Sequence, residues 1–285
     1  IRAQAERLDH VMFAGFTHEP AVALAEALIA AAPPGYGRVF FADCGSAAVE
    51  VALKLSFQAR QQRGEPRRTR FATLRNGYHG ETLGALAVCG AGAYRDAFAP
   101  LLFAPIELPA PAFPRHEHEE LGRDVGADAP EADAAVAMIE AHADELTAVI
   151  VEPLVQCAGR MTITGSGFYR RIARAAQARG IHVIADEIAV GLGRTGRMFA
   201  STWSEVQPDL MCLSKGLAGV MPLATVLIRA GFDADFRGSP ARSFLHSHTF
   251  TANPIACAAA LAGLRLFEET ELLARLPGRI AAMAE

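Results

Sequence analysis

Very little in this sequence marks out a special environment. It has one tryptophan, and aromatic residues make up only 7% of its 285 positions. The five cysteines (Cys44, Cys89, Cys157, Cys212, Cys257) are odd in number and scattered, mostly in apolar surroundings. That excludes a disulfide scaffold and fits buried thiols in a reducing compartment. No apolar run approaches the length of a membrane span, and no basic-then-apolar leader opens the chain, so no membrane partner and a cytoplasmic location are expected. Charge of one sign is missing too: the formal net charge is -4, and the densest basic cluster is Arg67-Arg68-Thr69-Arg70. No nucleic-acid partner is expected on that basis. No G-x-G-x-x-G turn leaves a strand directly and no Walker lysine occurs, which argues against a nucleotide- or dinucleotide-binding module.

What is present reads as an ordinary globular chain, 51% hydrophobic and 20% charged, long enough to bury one large core. Short apolar runs alternate with stretches of helical spacing. Helices are expected after Pro20 up to Pro33-Pro34-Gly35, from Ala47 to Arg63 with Val49, Leu53 and Phe57 on one face, from Asp133 to His142, from Phe168 to Arg179, and from Asn253 to Phe267. Strands are expected at Arg38–Ala42, Phe71–Leu74, Thr147–Pro153, His182–Ala185, Leu210–Leu213 and Leu223–Ile228. Strand–helix alternation of this kind implies an α/β fold with a mostly parallel central sheet flanked by helices. Both ends cut through helical patterns, Ala3, Leu8, Val11 and Met12 at the start and Glu268 to Glu285 at the finish, so a central piece of a longer protein is expected.

The chain is organised around Ile181 to Lys215. The run His182-Val183-Ile184-Ala185 ends abruptly in Asp186-Glu187, and Leu210-Met211-Cys212-Leu213 ends in Ser214-Lys215. Two neighbouring parallel strands would then present an acid and an amine at one sheet edge, where α/β folds place their ligands. Pyridoxal phosphate chemistry wants that pair, Lys215 as its covalent anchor and Asp186 on the pyridinium nitrogen.

Weaker signals surround it. The Gly45-Ser46 turn between a strand and a helix suits a phosphate at the helix start, or is simply an N-cap. Tyr78, between glycines in Asn76-Gly77-Tyr78-His79-Gly80, is a core or surface aromatic or a stacking partner for a flat ring. His79 is a base or, more commonly in such a loop, a hydrogen-bonding brace. Glu152 ends its strand as Asp186 does, and is either an acid near the same site or a structural carboxylate. From Ala91 to Asp133 a long loop over the site edge is expected. Its His116-Glu117-His118 has metal-ligand spacing, as has His246-Ser247-His248, but neither has a further ligand at sensible spacing, so no metal is expected.

Taken in order, Gly45-Ser46, Tyr78-His79-Gly80, Asp186-Glu187, Gly193-Arg194-Thr195-Gly196, Lys215 and Thr249-Phe250 resemble the class III aminotransferases, fold type I pyridoxal-phosphate enzymes, over essentially the whole chain. Within that class His10 to Ala21, Asn76 to Gly80 and Val155-Gln156 look like the biotin-synthesis branch. The resemblance implies 8-amino-7-oxononanoate as amino acceptor and S-adenosylmethionine as donor. Another class III activity, of the ω-amino acid:pyruvate or ornithine/acetylornithine type, is the alternative, and a decayed, structural relative is opposed by the retained Lys215, Asp186 and Tyr78.

It also implies roles. Lys215 carries the cofactor and then moves a proton as base and acid. Asp186 keeps the ring nitrogen protonated, Ile188 and Tyr78 cover the two ring faces, and Gly45 and Ser46 bind the phosphate. Thr249, with His248 before it, reaches the phosphate of the other subunit in a homodimer with shared sites. Tyr78, Arg194, Lys215 and Ser247 meet the substrate. Glu81, the short run after Lys215, and His248 depart from the usual pattern and bear on the substrate pocket. The expected division is a large cofactor-binding domain over 1–265, with 266–285 leading to a small domain that is largely missing.

Overall fold

The computed structural model describes residues 1–90, 92–113 and 124–284. In chain order the elements are α1 (Arg2–Arg7), α2 (Glu19–Ala31), β1 (Tyr36–Ala42), α3 (Gly45–Gln62), β2 (Arg70–Leu74), α4 (Leu83–Ala87), α5 (Ala93–Asp96) and β3 (Ile106–Leu108). There follow α6 (Pro130–Ala141), β4 (Leu146–Val151), the short β5 (Val155–Gln156) and β6 (Thr162–Ile163), α7 (Ser166–Ala178) and β7 (His182–Asp186). The chain continues with β8 (Leu210–Leu213), β9 (Ala224–Arg229), α8 (Pro254–Glu269) and α9 (Leu272–Ala284).

Among the described residues, seven strands form one sheet in the order β1-β9-β8-β7-β4-β2-β3, and β5 pairs with β6 apart from it. The steps from β3 through β2, β4 and β7 to β8 are parallel. β9 is antiparallel to both β8 and β1, so β1 runs with the other five and β9 alone is reversed. This is the mostly parallel sheet that the strand–helix alternation implies.

Both faces are covered, which is why the central strands are apolar without a polar alternate: all six residues of β4 are buried. Period-two alternation sorts them between two cores. Ala148, Ile150, Ile184 and Cys212 pack on one side against Val49, Ala52 and Leu53 of α3. Val149, Val151 and Val183 pack on the other against α6 and α7 residues such as Ile139 and Ile172, while Met211, Leu213 and Leu227 meet Leu24 and Leu28 of α2 and Ala256 of α8. Each such fully buried aliphatic side chain contributes about 1.5–3 kcal/mol. Local chemistry sets the helix starts: Asn253 Oδ1 accepts the N–H groups of Ile255 and Ala256, with Pro254 opening α8.

Four expectations need correction. The opening helix ends at Arg7, and Val11 and Met12 lie in a loop, because Leu8 leaves the helix in an extended conformation. In α3, Val49 and Leu53 are buried but Phe57 is exposed; the buried stripe runs instead through Ala52, Ser56, Ala59 and Arg60. The stretch after Ala91 is not all loop, since Ile106–Leu108 pairs with β2 as the edge strand of the sheet. Three residues are too few for periodicity to register. The final helical pattern is broken, α8 ending at Glu269 before α9 begins at Leu272. His116-Glu117-His118 lies outside the described residues.

Candidate active site

Six strands pointing one way bring their carboxyl ends to a single edge. Asp186 ends β7, Glu152 follows β4, the Tyr78 loop follows β2, Ser214-Lys215 follows β8, and Cys44-Gly45-Ser46 links β1 to α3. They enclose a cavity of about 230 Å³ lined by Gly45, Ser46, Tyr78, Asp186, Ile188 and Lys215, together with Cys44, His79, Gly80, Glu152, Cys157, Ala158, Ala189 and Ser214. Six of the ten residues given roles by the resemblance therefore share one cavity, with His79 and Glu152 beside them.

Asp186 is almost wholly buried, and its lone pairs are spoken for on one side. Oδ2 lies 2.7 Å from Nδ1 of His79, and Oδ1 accepts the Ile188 N–H at 3.1 Å. A carboxylate can only accept, so His79 carries its proton on Nδ1, leaving Nε2 to face the Thr73 hydroxyl at 3.4 Å. His79 is thus the brace rather than a free base. Its place next to Tyr78 in the sequence was visible, but its pairing with Asp186 across 107 positions was not.

Glu152 is the second buried acid. Its Oε2 accepts the Tyr78 N–H and its Oε1 the Cys157 N–H, both at 3.0 Å. Burial, with Asp186 adding, pushes its carboxyl up to about 7, against the pull of His79 and the two N–H bonds. Glu187, given no role in the sequence reading, points away from the cavity. Its two oxygens accept the N–H groups of Ala200 and Ser201, and burial pushes it up to about 7 as well.

The helix end and the Tyr78 loop fit each other closely. Gly80 has φ 125°, and a Cβ there would lie 2.2 Å from Ser46 Oγ, so no other residue is accommodated. Ser46 Oγ accepts the Glu81 N–H at 3.2 Å, and Glu81 accepts the Tyr78 hydroxyl at 2.9 Å. Burial and that bond push the Tyr78 phenol up to about 12. Lys215 is solvent-exposed at φ 29°, an uncommon conformation for a side chain that is not glycine. Ser214 Oγ ties this turn to the Leu223 carbonyl at 2.9 Å.

The remaining four residues are elsewhere. Arg194 is exposed and outside the cavity lining. Ser247 lines a separate cavity of about 630 Å³ with Phe40, Lys54 and Phe244, His248 stands 3.6 Å from Asp43, and Thr249 is exposed. Gly191 to Gly196 does spell G-x-G-x-x-G, but it is a run of turns leading to a short 3-10 segment at Ala200–Ser204 rather than a strand-to-helix crossing.

The cavity suits pyridoxal phosphate on this chain's own geometry. An 18-residue helix starts at Gly45, and its first N–H groups have no acceptor within the helix. A Cβ on Gly45 would press within 3.1–3.2 Å of Ile188, closing the space beside that end. Asp186 supplies a buried acceptor and Lys215 an amine on the same cavity. Among the described residues no cluster of His, Cys, Asp and Glu could hold a metal ion, and no helix is long and apolar enough to cross a membrane.

The family model for aminotransferase class III matches residues 1–283. The adenosylmethionine-8-amino-7-oxononanoate aminotransferase of Geobacter sulfurreducens is 42% identical over the whole chain, and that of Nitratidesulfovibrio vulgaris 41% identical. The chain spans 63% and 53% of those two relatives' lengths. Among solved structures, the adenosylmethionine-8-amino-7-oxononanoate aminotransferase of Methanocaldococcus jannaschii aligns with TM-score 0.87 and 32% identity, over 98% of this chain and 62% of that one. An amine transaminase from an uncultivated Pseudomonas species, in its pyridoxal-phosphate-bound form, aligns with TM-score 0.84 and 33% identity, over 95% of this chain and 62% of that one.

Proposed function

Since the chain belongs to the class III aminotransferases, we propose that its whole protein transfers an amino group from S-adenosylmethionine to 8-amino-7-oxononanoate, giving 7,8-diaminononanoate for biotin synthesis, with pyridoxal phosphate as cofactor. The observation that carries the reading is the single cavity on which Asp186, Lys215 and the first turn of α3 converge. The 42% identity to the Geobacter enzyme supports the choice of substrates. When bound, pyridoxal phosphate supplies a sink for the electrons left on the amine-bearing carbon as its proton departs.

The chain's own groups do the rest. The Lys215 amine would anchor the cofactor and would carry a proton to and from the reacting carbon. Asp186, fixed by His79, would face the ring nitrogen and favour its protonated form. Ile188 and Tyr78 would flank the ring. The N–H groups of Gly45 and Ser46, at the positive end of α3, would bind the phosphate. Arg194, exposed and outside the cavity lining, would meet a substrate carboxylate. Ser247, His248 and Thr249 sit outside this cavity because they serve a second copy: the protein is a cytoplasmic homodimer in which Thr249 and His248 reach the neighbouring phosphate and Ser247 the neighbouring substrate.

The test uses the purified whole protein. An absorbance band at the edge of the visible, trapped by borohydride on Lys215, is expected, and it should be consumed on adding S-adenosylmethionine. Consumption by ornithine or β-alanine alone would move the protein to another class III activity. A colourless protein that takes up no pyridoxal phosphate would end the reading altogether.

A further inference from the structure

The wall of the cavity that carries Tyr78 has no regular structure of its own. Between β2 and α4 the chain from Arg75 to Thr82 is an irregular loop, with Asn76 at φ 63° and Gly80 at φ 125°. Groups outside that loop fix it: the Leu108 carbonyl accepts the Arg75 N–H, the Gly90 N–H donates to the Gly77 carbonyl, Ser46 Oγ accepts the Glu81 N–H and Asp186 meets His79, and two further buried side chains reach it from the segment that follows β4. Glu152 is 4% exposed and gives one carboxylate oxygen to each of two cavity walls, the Tyr78 N–H on one and the Cys157 N–H on the other, both at 3.0 Å. Gln156, 1% exposed and four residues on, donates from Nε2 to the Arg75 carbonyl at 2.7 Å. These two side chains add holds on the loop backbone three residues apart, at Arg75 and Tyr78.

We propose that Glu152 and Gln156 are positioning residues, a two-point clamp that sets how far Tyr78 stands from the Cys157 wall and hence the width of the slot over Asp186. The inference rests on the reading of the cavity as a pyridoxal-phosphate site. It explains why an acid is kept in a place where it is costly: a carboxylate has lone pairs to accept from both walls at once, and an amide does not. In Glu152→Gln one oxygen still accepts, but the side-chain NH₂ must face the other backbone N–H, donor against donor, with almost no change in volume. Gln156→Met keeps the bulk and loses the bond to Arg75. Gln156 is not in the cavity lining; Glu152 lines it, with both its oxygens taken by backbone N–H groups.

The experiment compares wild type, Glu152→Gln and Gln156→Met in the whole protein by amide hydrogen exchange and by pyridoxal phosphate affinity from absorbance titration. Expected are at least tenfold faster exchange in peptides covering 75–80 and 155–158, unchanged exchange across β7 and β8, and at least tenfold weaker cofactor affinity. Tyr78→Phe, which keeps the clamped N–H, should leave exchange in 75–80 at the wild-type rate. Unchanged exchange in both clamp variants would overturn the clamp. Faster exchange with wild-type cofactor affinity would show the bonds to be structural only, and would overturn the positioning role. If wild type itself takes up no pyridoxal phosphate, the functional reading fails first, which the exchange data alone do not decide.

Discussion

Replacing Glu187 by glutamine gives a sharply defined test of the buried-acid electrostatics, because Glu187 lies off the cavity and its effect on stability is not mixed with ligand binding. Its carboxyl is almost wholly buried and titrates at about 7 instead of 4.5, chiefly from loss of hydration. A raised carboxyl favours the protonated form in the fold. Its stabilising contribution is therefore full below pH 4.5 and lost as the pH climbs through 7. Between pH 5 and pH 8 that amounts to about 2.5 kcal/mol, a sizeable part of a typical folding free energy of about 5–15 kcal/mol. Glutamine has no charge to desolvate, but it offers one acceptor where the Ala200 and Ser201 N–H groups need two, at a cost of about 1–3 kcal/mol. Glu187→Gln should accordingly be less stable than wild type at pH 5 and nearly equal to it at pH 8. Differences between the two proteins cancel the opposite trend from His182, which burial holds neutral, down to about 2, and which loses stability on acidification. Urea unfolding at pH 5, 6, 7 and 8 reads the result. The gap in midpoint should close by roughly 0.8 M at an m-value of about 3 kcal/mol/M. A gap that stays constant across this range refutes the assignment of a costly buried charge to Glu187.

Two further outcomes follow from the cavity. Asp186→Asn puts an amide opposite His79 Nδ1 and removes the group proposed to keep the ring nitrogen protonated; turnover of the whole protein should fall by at least about 10²-fold, the scale of a positioned proton-transfer contribution, and an unchanged turnover would show that Asp186 does not face the cofactor nitrogen. Gly80→Ala drives a Cβ to within 2.2 Å of Ser46 Oγ at φ 125°, so the Tyr78 loop must shift; stability should fall by about 1–3 kcal/mol and phosphate-dependent cofactor affinity with it, as read by thermal melts with and without pyridoxal phosphate.

How much of this was legible in the residues depends on distance along the chain. Apolar runs ending in a carboxylate or a lysine located β7 and β8 and put Asp186 and Lys215 at one edge, because strand direction is a local matter of where the run stops. The reversal of β9 was not legible, since its six residues look the same read either way. Nor was β3, only three residues long. In the site, sequence order supplied the parts but not the contacts: Glu152 was left between an acid near the site and a structural one, and only its two backbone partners give it a place. The exposed helix face at Phe57 failed for a related reason. Helical spacing says which residues share a side, while the elements packed against α3 decide which side is covered.

The lone reversed strand has a consequence of its own. Because β9 sits between β1 and β8, the helix that starts after β1 and the lysine turn after β8 are kept two strand spacings apart, about 10 Å at the usual separation. The chain enters β9 at the site edge, through Leu223, and leaves it by the opposite edge. Strand order thus acts as a ruler that sets the distance between the first turn of α3 and the lysine turn. A change of topology that removed β9 would shorten the ruler by half and would also take away the Leu223 carbonyl that Ser214 of the cavity wall is tied to.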